Sequence, residues 1–284
     1  YWNYAQHLDL GYLDHPPMIA WLINTSTQML GNNEFAVRFP ALLCWLVSLY
    51  FVFKFSYMII GKTAAYSSAA LFSIFPFFFM TGFLATPDSP LLMCWVASLY
   101  FFHKAVHSNK GSWICFGVSM GIGMLSKYTI ALLAPFAFIY MLSSAQGRLW
   151  FKTPFPYLAG AIGLIVFSPN ILWNAMNDWS SYSFQSVRRL EQASEFGLPL
   201  LIGSLFVLLT RVGVVSALRA ATIRCISHSF IPRSNRIYLL LAAAVPFAVF
   251  ITFSIRHDPR LNWTGPIWLA LLPLMALDFS SSKD

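Results

Sequence analysis

The most constraining feature of this sequence is a succession of apolar runs, each about as long as a membrane-spanning helix. A helix that crosses the hydrocarbon core of a bilayer needs about 20 mostly apolar residues. Nine runs approach this length: 36–58, 63–84, 89–106, 112–126, 129–144, 155–175, 197–217, 237–255 and 262–279. Only 10% of the residues are charged, whereas soluble domains carry about 25%. The sequence therefore predicts an all-α protein that crosses a membrane repeatedly, a polytopic membrane protein.

The stretch before the first predicted span has a different pattern. Residues 16–30 begin with two prolines and hold one apolar octet before the polar run Asn-Thr-Ser-Thr-Gln. This stretch is too short to span a bilayer, and we expect it to form a helix lying in the membrane interface. The predicted organisation is a first extracytoplasmic loop with the interfacial helix at 1–35, a transmembrane bundle of about nine helices at 36–279, and a cytoplasmic tail at 280–284.

Basic residues are unequally divided between the two sides of the membrane that nine spans define. The richer side holds twelve: Lys54, Lys62, Lys104, Lys110, Arg148, Lys152, Arg211, Arg219, Arg224, Arg233, Arg236 and Lys283. The poorer side holds six: Arg38, Lys127, Arg188, Arg189, Arg256 and Arg260. The richer side should be cytoplasmic. Most acidic residues fall on the outer side: Asp9, Asp14, Glu34, Asp88, Asp178, Glu191, Glu195 and Asp258. The outer face therefore combines both charge signs, as a reaction site requires.

The first candidate motif is Tyr-Leu-Asp-His-Pro-Pro-Met at 12–18. Its second proline suits the first turn of a helix, which fixes Asp14 and His15 at the positive end of the interfacial helix, where an anion is stabilised. The spacing alone favours a simpler interpretation, in which Asp14 caps the helix within a solvated turn.

The second candidate motif is Thr-Pro-Asp-Ser-Pro at 86–90, at the outer mouth of the third predicted span. Ser89 and Pro90 can begin a helix, and Asp88 would then have only a capping or dipole role. However, Asp88 is the only acidic residue between Phe35 and Trp150, and an ionisable group at this depth is costly unless it has a function. The sequence supports both interpretations equally.

Two groups of basic residues on the outer side could bind phosphate. Lys127 stands alone in Ser-Lys-Tyr-Thr at 126–129, whereas Arg256, His257 and Arg260 precede the last predicted span. Arginine can bind phosphate with two parallel hydrogen bonds, and lysine acts as a point charge. The alternative is that Lys127 snorkels to the surface and that the arginine cluster, with Trp263, anchors the chain in the interface.

Several familiar site patterns are absent from the sequence. There is no glycine-rich nucleotide-binding loop and no H-E-x-x-H zinc motif, which disfavours a nucleotide-driven pump and a zinc protease. Four cysteines show no pairing pattern or metal-ligand spacing: Cys44, Cys94, Cys115 and Cys225. The net charge of +8 is not gathered in a soluble basic patch, so nucleic acid is not an expected partner. Any reaction must draw its energy from a substrate already activated in the membrane.

Taken in order, the motifs resemble the bacterial glycosyltransferase family 39, whose relatives are the protein O-mannosyltransferases and the lipid A aminoarabinose transferases. Five stretches carry the resemblance: Tyr-x-Asp-His-Pro-Pro-Met at 12–18, Asn-Glu-Phe-Ala-Val-Arg-Phe-Pro at 33–40, Thr-Pro-Asp-Ser-Pro at 86–90, Ser-Lys-Tyr-Thr at 126–129 and Asn-Trp-x-x-Pro at 262–266. It covers essentially the whole chain. It implies the GT-C fold, a helical bundle in the bacterial inner membrane whose active site faces the periplasm.

The resemblance also implies an activity. Such enzymes take a sugar from a polyprenyl-phosphate carrier and pass it, with inversion, to lipid A, another glycolipid or a protein. No cofactor is indicated, and the dependence on a divalent metal stays open. The alternatives are a transporter or flippase for lipid-linked sugars and a purely structural membrane subunit. Transporters often have polar residues at mid-membrane on broken helices in repeated halves, whereas no internal repeat is visible here and the ionisable residues gather at one side.

The implied site residues fall into three groups. The catalytic candidates are Asp88 and Asp14. The candidates for binding the lipid phosphate are His15, Lys127, Arg256 and Arg260, because fixed cations stabilise the negative charge that the departing phosphate acquires. The candidates for lining the substrate pocket are Tyr12, Glu34, Arg38, Tyr128 and Asn262.

The family usually has an Asp-Glu pair a few residues before the Tyr-Trp that is Tyr1-Trp2 here. That pair, the first spanning helix and the C-terminal part of the family are not among these 284 residues. The resemblance therefore implies a fragment of a longer enzyme, and whether the fragment alone is active stays open.

Overall fold

The computed structural model describes residues 1–186, 196–222 and 231–281, and the regular structure within these ranges is entirely helical. The α-helices, in chain order, are α1 Trp2–Gln6, α2 Met18–Leu30, α3 Glu34–Ile59, α4 Lys62–Ile74, α5 Pro76–Thr81, α6 Asp88–His107, α7 Ser112–Ser126, α8 Leu133–Ser143, α9 Ala145–Trp150, α10 Phe155–Met176, α11 Ser180–Gln185, α12 Leu198–Thr222, α13 Arg233–Ser254 and α14 Leu272–Ser281. Two short 3-10 helices, Tyr128–Leu132 and Gly265–Ala270, precede α8 and α14.

Each of the nine predicted apolar segments is helical, which confirms the all-α polytopic fold. Four helices are long and apolar enough to cross a membrane on their own: α3, α10, α12 and α13. The second predicted segment is divided into α4 and α5, and the fifth and ninth begin as 3-10 turns. The number of crossings and the three domain boundaries stay predictions. Residues 282–284 of the predicted tail lie outside the described residues, as do Arg188, Arg189, Glu191, Glu195, Arg224 and Cys225.

The division of the second segment has a local cause. Phe75, which precedes Pro76, is extended at φ −62° and ψ 131°, because a proline disfavours the helical conformation of the residue before it. Pro76 then occupies the first turn of α5. A linker follows α5 and is held against α6 by the Ser89 hydroxyl, which lies 2.7 Å from the carbonyl oxygen of Thr81 and 2.9 Å from that of Leu84. This linker delivers Asp88 to the first turn of α6.

Helix α6 forms the centre of the bundle, and most of its residues are buried. It packs on α3 and α7, and its side chains join a large aromatic core with residues of α8 and α13. Helix α7 packs in turn on α10 through Gly117 and Gly121, whose Cα atoms face the backbone of Ala159 and Gly163. Small residues let two membrane helices approach closely. Because α7 packs on both α6 and α10, the first residue of α6 and the last residue of α7 are fixed relative to each other.

The segment predicted to lie at the interface is helical from Met18 to Leu30. Its inward side chains, Ile19 and Ile23, are buried against Ala5 of α1, and the helix also packs on α3. The predicted helix is therefore confirmed, whereas its position in the membrane interface stays a prediction. Because Asp14 and His15 come just before this helix, its packing on α1 and α3 also fixes their position.

Candidate active site

Three side chains from distant parts of the chain meet at one end of the bundle. The Nζ atom of Lys127 lies 2.9 Å from Oδ1 of Asp88, and the side-chain amide of Asn262 donates to Oδ2 of Asp88 at 2.6 Å. Asp88 is 6% exposed and Lys127 is 9% exposed. Both carboxylate oxygens of Asp88 are thus bound by nitrogen donors in a place from which water is largely excluded.

Local backbone structure brings these three groups together. Asp88 is in the first turn of α6, whereas Lys127 follows the last residue of α7 and has an extended backbone. The backbone N–H of Lys127 still donates to the carbonyl oxygen of Gly123 at 2.8 Å, which fixes the point where the chain leaves the helix. Asn262 lies between α13 and the following 3-10 helix. The polar contacts therefore form at helix ends, where the backbone turns.

The first loop places a second carboxylate beside this group. The Tyr4 hydroxyl donates to Oδ1 of Asp14 at 2.7 Å, and the rings of Tyr4 and Tyr12 stack with centroids 4.2 Å apart. Burial, and then the hydrogen bond to Asp14, raise the pKa of the Tyr4 phenol to about 12. The phenol therefore stays protonated near neutral pH and remains a donor to Asp14. His15 follows, with its ring 5.5 Å from that of Tyr1.

A cavity of about 610 Å³, here called the Asp88 cavity, lies between the Asp88 group and the first loop. Seven of the predicted site residues line it: Asp14, His15, Asp88, Lys127, Tyr128, Arg260 and Asn262. Six of them come from four separate motifs, Arg260 lies just before the last of these motifs, and the structure brings all seven to one place. Acidic and basic side chains face the same space, in a cavity large enough for a sugar phosphate.

Four predicted residues do not line the Asp88 cavity. The ring of Tyr12 stacks on that of Tyr4, and the hydroxyl of Tyr4 in turn donates to Asp14. Arg256 is exposed just beyond the end of α13. Glu34 and Arg38, which we expected in the substrate pocket, face a separate groove and are paired with each other. Their position on the first turns of α3 directs them away from Asp88.

The cavity also contains residues that the sequence did not single out as site residues. Its polar wall includes Gln185 of α11, whose side-chain amide donates to the backbone carbonyl of Asp14, and the exposed Asp258. Its apolar wall consists mainly of side chains from α13 and its surroundings: Leu132, Val249, Phe250, Phe253 and Trp263. Asp258 belongs to the cluster before the last predicted span and could have been found there. Gln185 is the last residue of the short helix α11, in a stretch without a motif.

Tyr128 connects the cavity to a buried polar network. Its hydroxyl lies 3.0 Å from Oδ1 of Asn170 and 3.0 Å from the hydroxyl of Ser181. Asn170 also accepts from the side chain of Asn174, and all three partners are completely buried. This network attaches α10 and α11 to the residue that follows Lys127. In the described part of the chain, no three His, Cys, Asp or Glu side chains form a metal-binding group.

The helical bundle, with apolar helices long enough to span a membrane and a partly polar cavity at one end, defines a polytopic membrane protein. Among solved structures, ArnT from Cupriavidus metallidurans bound to undecaprenyl phosphate is similar, with a TM-score of 0.74, 18% identity, and coverage of 95% of this chain and 50% of ArnT. ArnT in the apo state gives a TM-score of 0.73 at the same identity. The GT-C fold implied by the sequence is therefore confirmed.

The sequence identifies the family. The family model for dolichyl-phosphate-mannose-protein mannosyltransferase matches residues 14–173, which is more than half of the chain, and the chain belongs to this family. The lipid A galacturonosyltransferase RgtD of Rhizobium johnstonii is 26% identical over 213 residues, 70% of this chain and 45% of that protein.

An undecaprenyl phosphate-alpha-4-amino-4-deoxy-L-arabinose arabinosyl transferase of Wigglesworthia glossinidia brevipalpis is 29% identical over 146 residues, 49% of this chain and 26% of that protein. The chain thus spans less than half the length of these curated relatives. The resemblance to glycosyltransferase family 39 is confirmed.

Proposed function

We propose that the protein containing this chain transfers a sugar from a polyprenyl-phosphate carrier to a lipid A-type glycolipid at the outer face of the membrane. The observation that carries the proposal is the Asp88 carboxylate, held by Lys127 and Asn262 at the wall of a cavity that is partly polar and partly apolar. Relatives named as lipid A sugar transferases and as undecaprenyl phosphate-dependent transferases support the same chemistry.

The two walls of the Asp88 cavity suit the two parts of a polyprenyl-phosphate sugar. Phe250 and Phe253 of the apolar wall would contact the first isoprene units, because hydrocarbon is stabilised by removal from water. Arg260 and His15 would face the phosphate, where cations stabilise negative charge. The sugar would then occupy the space between the phosphate and Asp88.

The proposed transfer is a single displacement at the anomeric carbon of the sugar. A hydroxyl oxygen of the acceptor attacks the anomeric carbon of the sugar from the face opposite the phosphate, which inverts the configuration. The bond between that carbon and the phosphate oxygen breaks, and its electron pair leaves with the phosphate. The hydroxyl proton passes to a carboxylate, and we assign this role to Asp88, with Asp14 orienting the acceptor. Lys127 supplies the counter-charge for Asp88. An acceptor that is itself a phosphate would need no base.

The membrane orientation is part of the proposal. The cavity contains residues of the side that the charge distribution assigns to the exterior, and a polyprenyl-phosphate donor and a lipid A acceptor are both membrane lipids. We therefore place the protein in the bacterial inner membrane, with the Asp88 cavity facing the periplasm.

The test uses the whole protein in nanodiscs, a labelled sugar on undecaprenyl phosphate and lipid A. We expect labelled lipid A from the wild-type protein and a loss of at least about 100-fold in rate for Asp88→Asn, as general bases typically contribute that much. Asp178→Asn is the matched control, because Asp178 is exposed and does not line the cavity.

Full activity of Asp88→Asn would remove Asp88 from the mechanism. If the wild-type protein moved the labelled carrier across liposomes without transferring its sugar, the flippase alternative would replace this proposal.

A further inference from the structure

A second concave surface, here called the rim groove, lies beside the Asp88 cavity and measures about 550 Å³. Its main polar and aromatic lining residues are Trp2, Asn32, Glu34, Arg38 and Thr86. Thr86 and Asp88 are separated by one residue, yet Thr86 faces the groove and Asp88 faces the cavity. Their Cα atoms lie at most about 7.6 Å apart, since consecutive Cα atoms are about 3.8 Å apart. The groove and the cavity are therefore lined by neighbouring positions of one short stretch of chain.

The side chains of the rim groove are held in defined orientations. The indole Nε1 of Trp2 donates to Oδ1 of Asn32 at 3.0 Å, while Trp2 remains 45% exposed. The guanidinium of Arg38 donates twice to Oε1 of Glu34, at 3.0 and 2.7 Å, and once to the carbonyl oxygen of Phe83 at 3.1 Å. One aromatic ring and several planar polar groups are thus fixed around an open space.

The Glu34–Arg38 pair contributes little to stability, because its side chains are 78% and 48% exposed and water screens such pairs. Within the described residues, Oε2 of Glu34 accepts no hydrogen bond and Arg38 has further N–H groups to donate. A sugar ring offers a C–H face to an aromatic ring and hydroxyls to planar carboxylate, amide and guanidinium groups. The lining of the groove matches that chemistry.

Exposed aromatic residues border the rim groove and indicate what is attached to the sugar. Phe35 directly follows Glu34 and is 61% exposed, and Phe83 directly precedes Leu84 of the groove and is 50% exposed. Each ring pairs with another phenylalanine one turn away, Phe39 or Phe79. A polar groove bordered by exposed aromatic rings suits a molecule with a sugar headgroup and hydrocarbon chains.

We propose that the rim groove binds the sugar headgroup of the acceptor glycolipid, with Trp2 against the sugar ring and the Glu34–Arg38 pair bonded to its hydroxyls. This proposal rests on the proposed function, because an acceptor is meaningful only for a transferase. It assigns the carrier lipid to the Asp88 cavity and the acceptor headgroup to the rim groove, with the reacting hydroxyl of the acceptor reaching the cavity beside Asp14 and Asp88.

The test measures the KM for the acceptor and for the donor separately, with the whole protein in nanodiscs. Trp2→Ala is expected to raise the KM for lipid A about tenfold, the effect of losing one well-placed aromatic contact, and to leave the KM for undecaprenyl-phosphate sugar unchanged. Trp2→Phe keeps an aromatic face and should stay within about threefold of wild type. Met29→Ala is the control, because Met29 is an exposed side chain of α2 outside both concave surfaces.

An unchanged acceptor KM in Trp2→Ala, or an equal rise in both KM values, would overturn the acceptor site. A deacylated lipid A that competes as well as intact lipid A would support the headgroup contacts and would reject the assignment of hydrocarbon chains to Phe35 and Phe83.

If the wild-type protein transfers no sugar at all, the proposed function fails first. The binding of lipid A in the rim groove is then tested separately, by measuring how much radiolabelled lipid A the detergent-purified wild type and Trp2→Ala retain. Equal retention would reject it, whereas about tenfold weaker retention by the variant would preserve it as a glycolipid-binding site.

Discussion

The ammonium group of Lys127 lies 2.9 Å from the carboxylate of Asp88, although 38 residues separate them in the chain, and the two side chains are only 11% and 8% exposed. Burial of one charge alone is costly, and a partner of opposite sign offsets that cost. Lys127 is therefore the counter-charge of Asp88. Its contact with the lipid phosphate stays a prediction. The carboxylate is held in place before any substrate arrives.

Removal of Lys127 should destabilise the protein strongly. Lys127→Met leaves the Asp88 carboxylate buried without its counter-charge, and breaking a buried pair in this way costs about 3–5 kcal/mol. Thermal unfolding in detergent measures the effect. The double variant Asp88→Asn with Lys127→Met removes both charges and should recover most of the lost stability. A double variant no more stable than Lys127→Met would contradict the account of the pair.

The second partner of Asp88 gives a prediction about catalysis. Asn262→Ala removes the 2.6 Å hydrogen bond to Oδ2 of Asp88 and leaves the contact with Lys127 intact. A hydrogen bond to a charged group is worth about 1.5–3 kcal/mol, which corresponds to a fall of about 10–100-fold in kcat/KM if the carboxylate loses its orientation. Sugar transfer to lipid A measures it, and Asn177→Ala, in the loop after α10, is the control. An unaltered rate would show that Lys127 alone positions Asp88.

The bundle and part of the site could be predicted from the sequence because they depend on local patterns. The apolar runs marked the helices, and the spacing of Gly117 and Gly121 is the known pattern of close helix packing that α7 and α10 show. The motifs at 12–18, 86–90, 126–129 and 262–266 contribute residues to one cavity.

The direction of each side chain could not be predicted, because it depends on where a helix ends and how it packs. Glu34 and Arg38 belong to a matching motif, yet the packing of α3 directs them to the rim groove. Arg256 and Arg260 are four residues apart, and both come after α13, which ends at Ser254. Only Arg260 lines the Asp88 cavity. Gln185 donates a hydrogen bond to the backbone carbonyl of Asp14, which is more than 150 residues away in the sequence.

The Tyr4–Asp14 hydrogen bond predicts a dependence of stability on alkaline pH. Burial and Asp14 raise the pKa of the Tyr4 phenol from 10.0 to about 12 in the folded protein. Between these values the unfolded state binds fewer protons than the folded state, so stability falls as the pH rises. The contribution is complete below pH 10 and is lost as the pH rises through about 12. Tyr4→Phe should weaken the decline in Tm between pH 9 and pH 11.5, and an identical decline would refute the assignment.

The first loop depends on a close contact at Gly11 with α10. A Cβ atom at this position would lie 2.7 Å from Cδ2 of Trp173 and 2.9 Å from Nδ2 of Asn170, which is completely buried. Neither group can move freely in a packed site, so Gly11→Ala should cost about 1–3 kcal/mol. It should also shift the loop that carries Asp14 and lower the rate of sugar transfer.

Gly160→Ala is the matched control for Gly11→Ala, because a Cβ atom at Gly160 meets no atom within 4 Å and the residue lies on the same helix, α10, as Asn170 and Trp173. This variant should keep wild-type stability and activity. Thermal unfolding and sugar transfer measured in parallel separate the two effects. If Gly11→Ala lowered the Tm but left the rate unchanged, the position of the first loop would not matter for transfer, and Asp14 would lose its assigned role in orienting the acceptor.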